Sequence, residues 1–183
     1  MPWKVLLPKR AMSELVKLSA DAGDEATVRI AEDDNHLFFE VGHRLLIARR
    51  LTGNFPDYAR VLPSGDSHQA LLDRAGLMSA IARVSEFSDE RSQACRVQLR
   101  SGELRVFASC VETGESEEAV PCEYAGPDVE IGFNASYLMQ FLNAATGARV
   151  ALRVTSEKSA GELRPENLEN GQEYRYVVMP MRI

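Results

Sequence analysis

The chain has 183 residues, of which 45% are hydrophobic and 26% charged, with a formal net charge of −6. This composition is ample for a packed core, no apolar run approaches the roughly 18 residues that span a bilayer, and no basic-then-apolar leader precedes Pro2 and Pro8. We therefore expect a folded, soluble, cytoplasmic protein, neither secreted nor embedded in a membrane. The acidic balance also argues against tight nucleic-acid binding as the default expectation, because such binding depends on basic faces.

Short apolar or β-branched runs are interrupted by three segments of helical period and by single glycines that mark turns. The predicted elements, in chain order, are strand 5–7, helix 9–20, strands 27–30, 36–41 and 44–51, helix 74–88, strands 95–99, 104–108, 118–120 and 129–133, helix 134–145, and strands 150–154 and 174–179. Few helices and many strands predict an α+β fold.

The helical segments carry apolar stripes that should face a core. In the first helix, Met12, Leu15 and Val16 share one face, while Arg10 and Lys17 share the other. The stripes of the other two helices are Leu77, Met78, Ile81 and Val84, and Tyr137 or Leu138 with Phe141 and Leu142. Asp73 and Asn134 are expected to cap these two helices at their N-termini.

An internal repeat joins the first and third helices with the strands around them. Five apolar residues of the first unit recur 126 positions later, namely Val5, Leu7, Met12, Leu15 and Val16 as Ile131, Phe133, Leu138, Phe141 and Leu142. A third helix-led unit begins near Leu71. We therefore predict two domains, residues 1–66 and 67–183, joined at the polar stretch Pro63-Ser64-Gly65-Asp66-Ser67.

The sequence offers little material for catalysis. None of the three histidines stands in a metal-binding or triad spacing, and Cys95, Cys110 and Cys122 lack the spacing of metal ligands. The acidic run at residues 32–35 is interpreted as a hairpin turn rather than a cation site. We expect no enzyme, no metal and no cofactor.

The C-terminal residues resist an ordinary structural interpretation. The last strand runs into Met179-Pro180-Met181 with no polar tail after it. Methionine is flexible and polarisable, so it suits a surface that repacks around several partners. A methionine that simply fills a gap in the core is the alternative, and composition alone does not separate the two.

Three motifs together resemble the bacterial DNA polymerase III β sliding clamp family. They are the closing run Tyr174 to Ile183, the run Gly53-Asn54-Phe55-Pro56-Asp57-Tyr58-Ala59-Arg60-Val61-Leu62-Pro63, and Ile131-Gly132-Phe133-Asn134-Ala135-Ser136-Tyr137-Leu138. They stand in the family's order and at nearly its spacing. The resemblance covers the chain from Val5 onward and corresponds to the second half of the family's middle domain followed by its last domain.

The resemblance implies a fold and a function. Family members repeat strand-helix-strand modules with helices on the inner face and antiparallel sheets outside, and two full-length subunits close into a ring around duplex DNA. The implied function is that of a replication processivity factor: a homodimer when full length, with weak topological contacts to double-stranded DNA. Its implied partners, bound through short linear motifs, are the replicative polymerase, the clamp loader, translesion polymerases and mismatch-repair proteins.

The resemblance also implies a peptide-binding pocket between the middle and last domains. Its residues in this sequence are Pro56, Arg60, Val61, Asn134, Tyr137, Val177, Met179, Pro180, Met181 and Arg182. Two departures weaken the match. Gly42-His43-Arg44-Leu45 imitates a stretch of the family's pocket but stands on a later strand, and Lys158 and Ala160 replace the apolar or hydroxyl residues usual at the rim.

Two further surfaces follow from helix faces and family position. Lys9, Arg10, Lys17 and Arg83 are candidates for a weakly basic DNA-facing surface, and ordinary solvated helix faces are the alternative. Glu86 and Phe87 stand where the family closes its ring, so we expect them at a subunit interface, although Phe87 could instead pack on a neighbouring strand.

Two other functions remain open at this point. A truncated clamp segment could act only as a peptide-binding module without ring closure, and retention on circular DNA would separate it from a clamp. An enzyme on an unfamiliar α+β fold would have to show turnover that a single polar substitution abolishes.

Overall fold

The computed structural model describes residues 4–23, 27–55, 57–62, 67–167 and 173–182. The chain divides into two compact units, which we call the first unit (residues 1–57) and the second unit (residues 58–183). This division lies N-terminal to the predicted join at residue 66, and residues 63–66 fall outside the described ranges. The domain limits 1–66 and 67–183 therefore stay a prediction.

The first unit packs one helix on a three-stranded antiparallel sheet. Its elements are α1 (Lys9–Ala22), β1 (Val28–Glu32), β2 (His36–Val41) and β3 (Arg44–Arg49), with the strands neighbouring in chain order. Leu37, Phe39 and Ala48 form the buried core, on which Leu7 and Leu15 pack with others. The run at residues 32–35 comprises the last residue of β1 and the turn to β2, as predicted from its composition.

The predicted inner face of α1 is wrong in part. Leu15 packs on the core together with Ala11, but Met12 and Val16 are 47% and 64% exposed. Adjacent positions on a helix differ by 100°, so the face that meets the sheet contains Ala11 and Leu15, while Met12 and Val16 point to one side of it. Helical period identified which residues lie near each other but not which of them are covered.

The second unit contains most of the strands and two helices. Its elements are a 3₁₀ turn (Tyr58–Val61), β4 (His68–Asp73), α2 (Arg74–Ser85), β5 (Ala94–Arg100), β6 (Glu103–Cys110), β7 (Gly114–Glu123), β8 (Val129–Asn134), α3 (Ala135–Ala144), β9 (Arg149–Val154), β10 (Gly161–Pro165) and β11 (Tyr176–Val178). The strand order is β11-β10-β9-β4-β7-β6-β5-β8, and neighbouring strands are antiparallel. The predicted α+β class is confirmed.

The core of the second unit lies between this sheet and the two helices. Leu77 and Ile81 of α2 line the same internal cavity as Leu138 and Leu142 of α3. The predicted caps are also present, since the side chain of Asp73 accepts a hydrogen bond from the Gly76 amide and that of Asn134 from the Tyr137 amide. The apolar stripes predicted for these helices therefore meet each other and the sheet.

The predicted repeat is confirmed for the helix and the strands after it. Helices α1 and α3 are each followed by three strands that neighbour one another in the sheet, β1-β2-β3 and β9-β10-β11. The strand predicted at Val5 to Leu7 does not form, and the short strands β4 and β10 were not predicted. The residues before α1 thus differ from β8, which precedes α3.

Candidate functional site

The candidate site is centred on residues 177–182, which we call the terminal segment. Val177 lies on β11 opposite Glu162 of β10. Beyond β11 the chain leaves that strand pair, and the Met181 amide donates a 2.8 Å hydrogen bond to the carbonyl oxygen of Gly132 on β8. The terminal segment therefore runs from one edge strand of the sheet to the other, and its last residues lie beside the end of β8.

The residue that ends β8 also begins α3. The Asn134 side-chain Oδ1 accepts hydrogen bonds from the Tyr137 amide at 3.2 Å and from the Ser136 hydroxyl at 2.8 Å. Its Nδ2 donates to the Ser92 carbonyl oxygen at 2.9 Å. Asn134 is thus fixed as a helix cap, and this cap sets the position of Tyr137, whose side chain is 51% exposed one turn into α3.

A cluster of aromatic rings joins α3 to the residues around the start of β11. The ring of Phe141 is fully buried and lies 5.6 Å from the ring of Tyr174 and 5.7 Å from that of Tyr176, between centroids. Burial raises the pKa of the Tyr176 hydroxyl, and the neighbouring phenols of Tyr174 and Tyr137 raise it further. These contacts anchor the start of β11 against α3, so that Tyr137 and the terminal segment belong to one surface.

This surface offers apolar side chains with a few polar groups. Met179 is 60% exposed, Val177, Pro180 and Met181 are half-buried, and Arg182 is exposed. Pro180 provides no amide donor and fixes φ, so it keeps the segment from extending the sheet as a regular strand. Exposed methionine and tyrosine side chains above a rigid aromatic support can bind an apolar side chain of a peptide and adapt to its shape.

The other predicted pocket residues are Pro56, Arg60 and Val61, and two rim positions were named with them. Arg60 and Val61 lie in the 3₁₀ turn at the start of the second unit, where both side chains are exposed. Pro56 lies outside the described residues. Of the two rim positions, Lys158 is exposed beside Glu157 and Ala160 is buried.

The stretch Gly42-His43-Arg44-Leu45 forms the tight turn between β2 and β3 and the start of β3. There Arg44 makes a 2.8 Å ion pair with Asp21 of α1. That this stretch only imitates the family's pocket motif stays a prediction.

A buried charge cluster next to Val177 was not predicted. The Glu162 side chain is fully buried, and its Oε1 accepts hydrogen bonds from Arg164 at 2.6 Å and Arg175 at 2.5 Å, while Arg153 lies 3.6 Å from Oε2. Burial alone would raise the pKa of Glu162, but the hydrogen bonds from Arg175 and Arg164 outweigh it and lower the pKa. No pattern in the sequence signals this cluster, because alternation along residues 161–165 would place Glu162 on the solvent side of the strand.

The predicted DNA-facing cations differ in their surroundings. Lys9, Arg10 and Lys17 are exposed on α1, where Lys17 pairs with Glu14 at 2.9 Å. Arg83 on α2 instead donates from Nε and Nη2 to both carboxylate oxygens of Glu118, at 2.5 and 2.7 Å. This pairing raises the pKa of Arg83 and lowers that of Glu118.

The predicted subunit-interface residues follow α2 directly. Glu86 is the exposed C-cap of that helix, and Phe87 is half-buried with its amide bonded to the Val84 carbonyl oxygen at 3.0 Å. The helix therefore ends at Ser85, three residues before its predicted end, and the role of Glu86 and Phe87 at an interface stays a prediction.

The described part of the chain gives little support for metal binding, for thiol chemistry at Cys95 or for a membrane span. No group of three or more His, Cys, Asp or Glu side chains there could hold a metal ion. Burial raises the pKa of Cys95 to about 12, so this thiol is unreactive at neutral pH. No helix among the described residues is long and apolar enough to cross a membrane.

Comparisons with known proteins agree on one family. Residues 59–182 match the family model of the DNA polymerase III beta subunit, C-terminal domain. The chain is 34% identical over 180 residues to the beta sliding clamp of Pseudomonas putida and 31% identical over 179 residues to that of Escherichia coli K12. Each match covers 98% of this chain and 48% of the relative.

Solved structures give the same result. The DNA polymerase III subunit beta of Pseudomonas aeruginosa superposes with a TM-score of 0.88 at 32% identity, covering 98% of this chain and 48% of that one. A sliding clamp from Bartonella birtlesii, bound to griselimycin, gives a TM-score of 0.90 at 28% identity, covering 100% of this chain and 48% of that one. The chain thus spans about half the length of the relatives that it matches.

Proposed function

This chain belongs to the DNA polymerase III beta subunit family, the bacterial sliding clamps, and from that premise we propose that it is the peptide-binding part of a replication clamp. The family is non-catalytic, in agreement with the expectation that the chain is not an enzyme. In the proposal, the complete clamp is a cytoplasmic homodimer that encircles duplex DNA. It tethers the replicative polymerase, the clamp loader, translesion polymerases and mismatch-repair proteins through short linear motifs.

The observation that carries this proposal is the surface formed by Tyr137 and the terminal segment. Its exposed apolar side chains stand on a support fixed by the Asn134 cap, by the Phe141 ring cluster and by the Met181 hydrogen bond to Gly132. Such a surface can desolvate a Leu or Phe anchor of a peptide, and Arg182 can bind its polar groups. Arg60 and Val61 are proposed to extend it.

A net negative charge suits a clamp better than it suits a protein that binds DNA tightly. A closed ring is held on DNA by topology, and strong phosphate contacts would impede its sliding. The exposed Lys9, Arg10 and Lys17 are proposed to supply weak contacts, with a smaller part for Arg83 because Glu118 already binds it.

A peptide-binding measurement tests the proposed site. We expect a fluorescent Leu- and Phe-containing clamp-binding peptide to bind the chain, and removal of residues 179–183 to weaken binding by at least about tenfold, or about 1.4 kcal/mol. The smaller change Met179→Asp should weaken binding with the fold intact, because this side chain is 60% exposed. Val111→Asp, at a fully exposed valine of the β6–β7 turn, is the matched control. Equal affinities of Met179→Asp and Val111→Asp would refute the site.

The alternative of a peptide-binding module without ring closure is supported by one observation, namely that Tyr137 and the terminal segment lie together within the second unit. Retention on nicked circular DNA separates the two proposals. A chimera in which this chain replaces the matching half of the Pseudomonas putida clamp should, after loading, stay on the circle in high salt and leave it when the DNA is linearised. A chimera that binds peptide but never remains on the circle would favour the module.

A further inference from the structure

Three arginines of the second unit surround the buried carboxylate of Glu162, and we call Arg153, Arg164 and Arg175 the arginine cluster. Glu162 Oε1 accepts hydrogen bonds from Arg164 and Arg175, whereas Oε2 has no hydrogen-bond partner among the described residues. Arg153 lies 3.6 Å from Oε2 and donates from Nη2 to the Ser67 hydroxyl at 2.6 Å. One carboxylate thus holds three cations together.

The charge of the arginine cluster exceeds what Glu162 can neutralise. Guanidinium groups stay protonated at any physiological pH, so Arg153 and Arg164 together already carry one charge more than Glu162 compensates. By contrast, Arg105 of β6 has two carboxylates of its own, those of Glu103 and Glu117, at 2.7 and 2.9 Å. The excess of positive charge lies in a chain whose net charge is −6, which makes the cluster a candidate site for a second anion.

The donors of the arginine cluster are accessible and held in place. Its three side chains are between 28% and 30% exposed, so a carboxylate from solution can reach them. One exposed carboxylate, that of Glu173, already lies 3.7 Å from Arg175 Nη1, beyond hydrogen-bond distance. A guanidinium presents its N–H groups as a planar fork that fits a carboxylate. Because Glu162 fixes these forks in advance, less freedom is lost when an anion binds.

The arginine cluster adjoins the terminal segment. Glu162 of β10 stands opposite Arg153 of β9 and Val177 of β11 in the antiparallel register. Opposed side chains point to the same face of a sheet, with Cβ atoms about 4.5–5.5 Å apart. Arg164 and Arg175 are each two positions from a member of this row, so they lie on that face as well. Val177, the first residue of the terminal segment, therefore borders the arginine cluster.

On the basis of the proposed function, we propose that the arginine cluster binds an acidic side chain of a partner peptide whose apolar anchor lies on the terminal segment. An extended peptide advances about 3.3 Å per residue, so a carboxylate two or three residues from the anchor reaches Arg153 or Arg164. It accepts hydrogen bonds from these guanidinium groups and neutralises the charge that Glu162 leaves. The cluster thus distinguishes partner segments with the same apolar anchor by their flanking charge.

Two fluorescent peptides test this proposal on the full chain in phosphate-free buffer. They share one Leu and Phe anchor and differ only in the residues on both sides of it, which are Asp in one peptide and Asn in the other. We expect the Asp peptide to bind at least about fivefold more tightly, although the net charge of the chain opposes its approach. In Arg164→Gln this preference should fall below about twofold, with the affinity for the Asn peptide unchanged.

Arg105→Gln is the matched control, because it removes the same charge from another part of the second unit. It should keep the preference of the parent for the Asp peptide. Arg153→Gln is a second variant that should lower this preference, and circular dichroism checks that each variant is folded.

The outcomes separate this proposal from the proposed function. Equal affinities of the parent for the two peptides overturn this proposal alone, whereas binding of neither peptide overturns it together with the peptide-binding surface. It is also overturned if Arg164→Gln and Arg153→Gln both keep the preference, since the arginine cluster then only joins its strands. A loss of the preference in Arg105→Gln as large as in Arg164→Gln overturns it too, because overall charge then accounts for the effect.

Discussion

Helices α1 and α3 have the same apolar spacing but different surroundings. Leu142 of α3 is 1% exposed in a core shared with α2, while Val16 of α1, its counterpart, is 64% exposed. The N-terminus of α3 is capped by Asn134, whereas Pro8 precedes α1 without a side-chain cap. The comparison shows that a periodic pattern marks the residues able to form a core, and that the neighbouring element decides whether they do.

The largest expected effect comes from truncating matched positions of the two helices. Leu142→Ala should lower the free energy of unfolding by about 3 kcal/mol, because it removes a fully packed side chain and leaves a cavity. Val16→Ala should change it by less than about 0.5 kcal/mol, since most of this side chain is in solvent. Thermal and urea unfolding of the full chain measure both. Similar losses for the two variants would mean that Val16 is covered in solution.

The buried cluster around Glu162 has no equivalent among the exposed ion pairs of α1. Glu162→Gln should cost about 2 kcal/mol, below the value for fully buried pairs because the three arginines remain partly exposed. Since the pKa of Glu162 is lowered, its contribution is complete above the ordinary value of 4.5 and is lost as the pH falls below that through the folded-state pKa.

Unfolding curves between about pH 2 and 7 test this prediction. The parent should lose stability on acidification below about pH 4.5 more steeply than Glu162→Gln does. Glu14→Gln, which removes only the exposed pair with Lys17 on α1, is the control and should cost less than about 0.5 kcal/mol. If Glu162→Gln loses stability on acidification as steeply as the parent does, this carboxylate does not stabilise the fold through its charge.

The sequence predicted the parts of this fold that depend on local pattern. Apolar period located all three helices, and Asp73 and Asn134 were identified as caps from their residue type and position. The strands β4 and β10 were not predicted, although β2 and β9, which are equally short, were. The pairs of Arg83 with Glu118 and of Glu162 with Arg175 join residues far apart in sequence, so no periodic pattern could reveal them.

For the candidate site, the sequence indicated the residues at the surface but not the contacts that support them. Resemblance pointed to Asn134, Tyr137 and the terminal segment, and the structure places these together through the Met181 contact with Gly132. Neither the support from the Phe141 ring nor the hydrogen bond from Asn134 Nδ2 to the Ser92 carbonyl oxygen followed from the motif.

The cap provides a smaller test of the same comparison. Asn134→Ala should cost about 1 kcal/mol, because the amides at the start of α3 lose their acceptor and the Ser92 carbonyl loses its donor. Asn143→Ala, at an exposed position near the end of α3, should be nearly neutral. Peptide affinity measured well below the melting temperature of both variants then separates a direct role of Asn134 in binding from its structural one. If Asn134→Ala leaves the free energy of unfolding unchanged, water replaces the hydrogen bonds of the cap.

The smallest effect is expected for the helix cations, and it concerns binding rather than stability. Arg10 and Lys17 are exposed on α1, whereas Arg83 on α2 is held by two hydrogen bonds from its guanidinium to Glu118. If both α1 cations neutralise DNA phosphates, Arg10→Gln with Lys17→Gln should reduce the slope of log affinity against log salt by about 1.8, since each phosphate contact contributes about 0.9. Arg83→Gln should reduce this slope by less, because the charge of Arg83 is already compensated by Glu118.

Anisotropy of a labelled duplex between about 50 and 200 mM salt gives these slopes. A slope that the double variant leaves unchanged would make Arg10 and Lys17 ordinary solvated residues, and an equal reduction by Arg83→Gln would show that DNA displaces Glu118 from its pair.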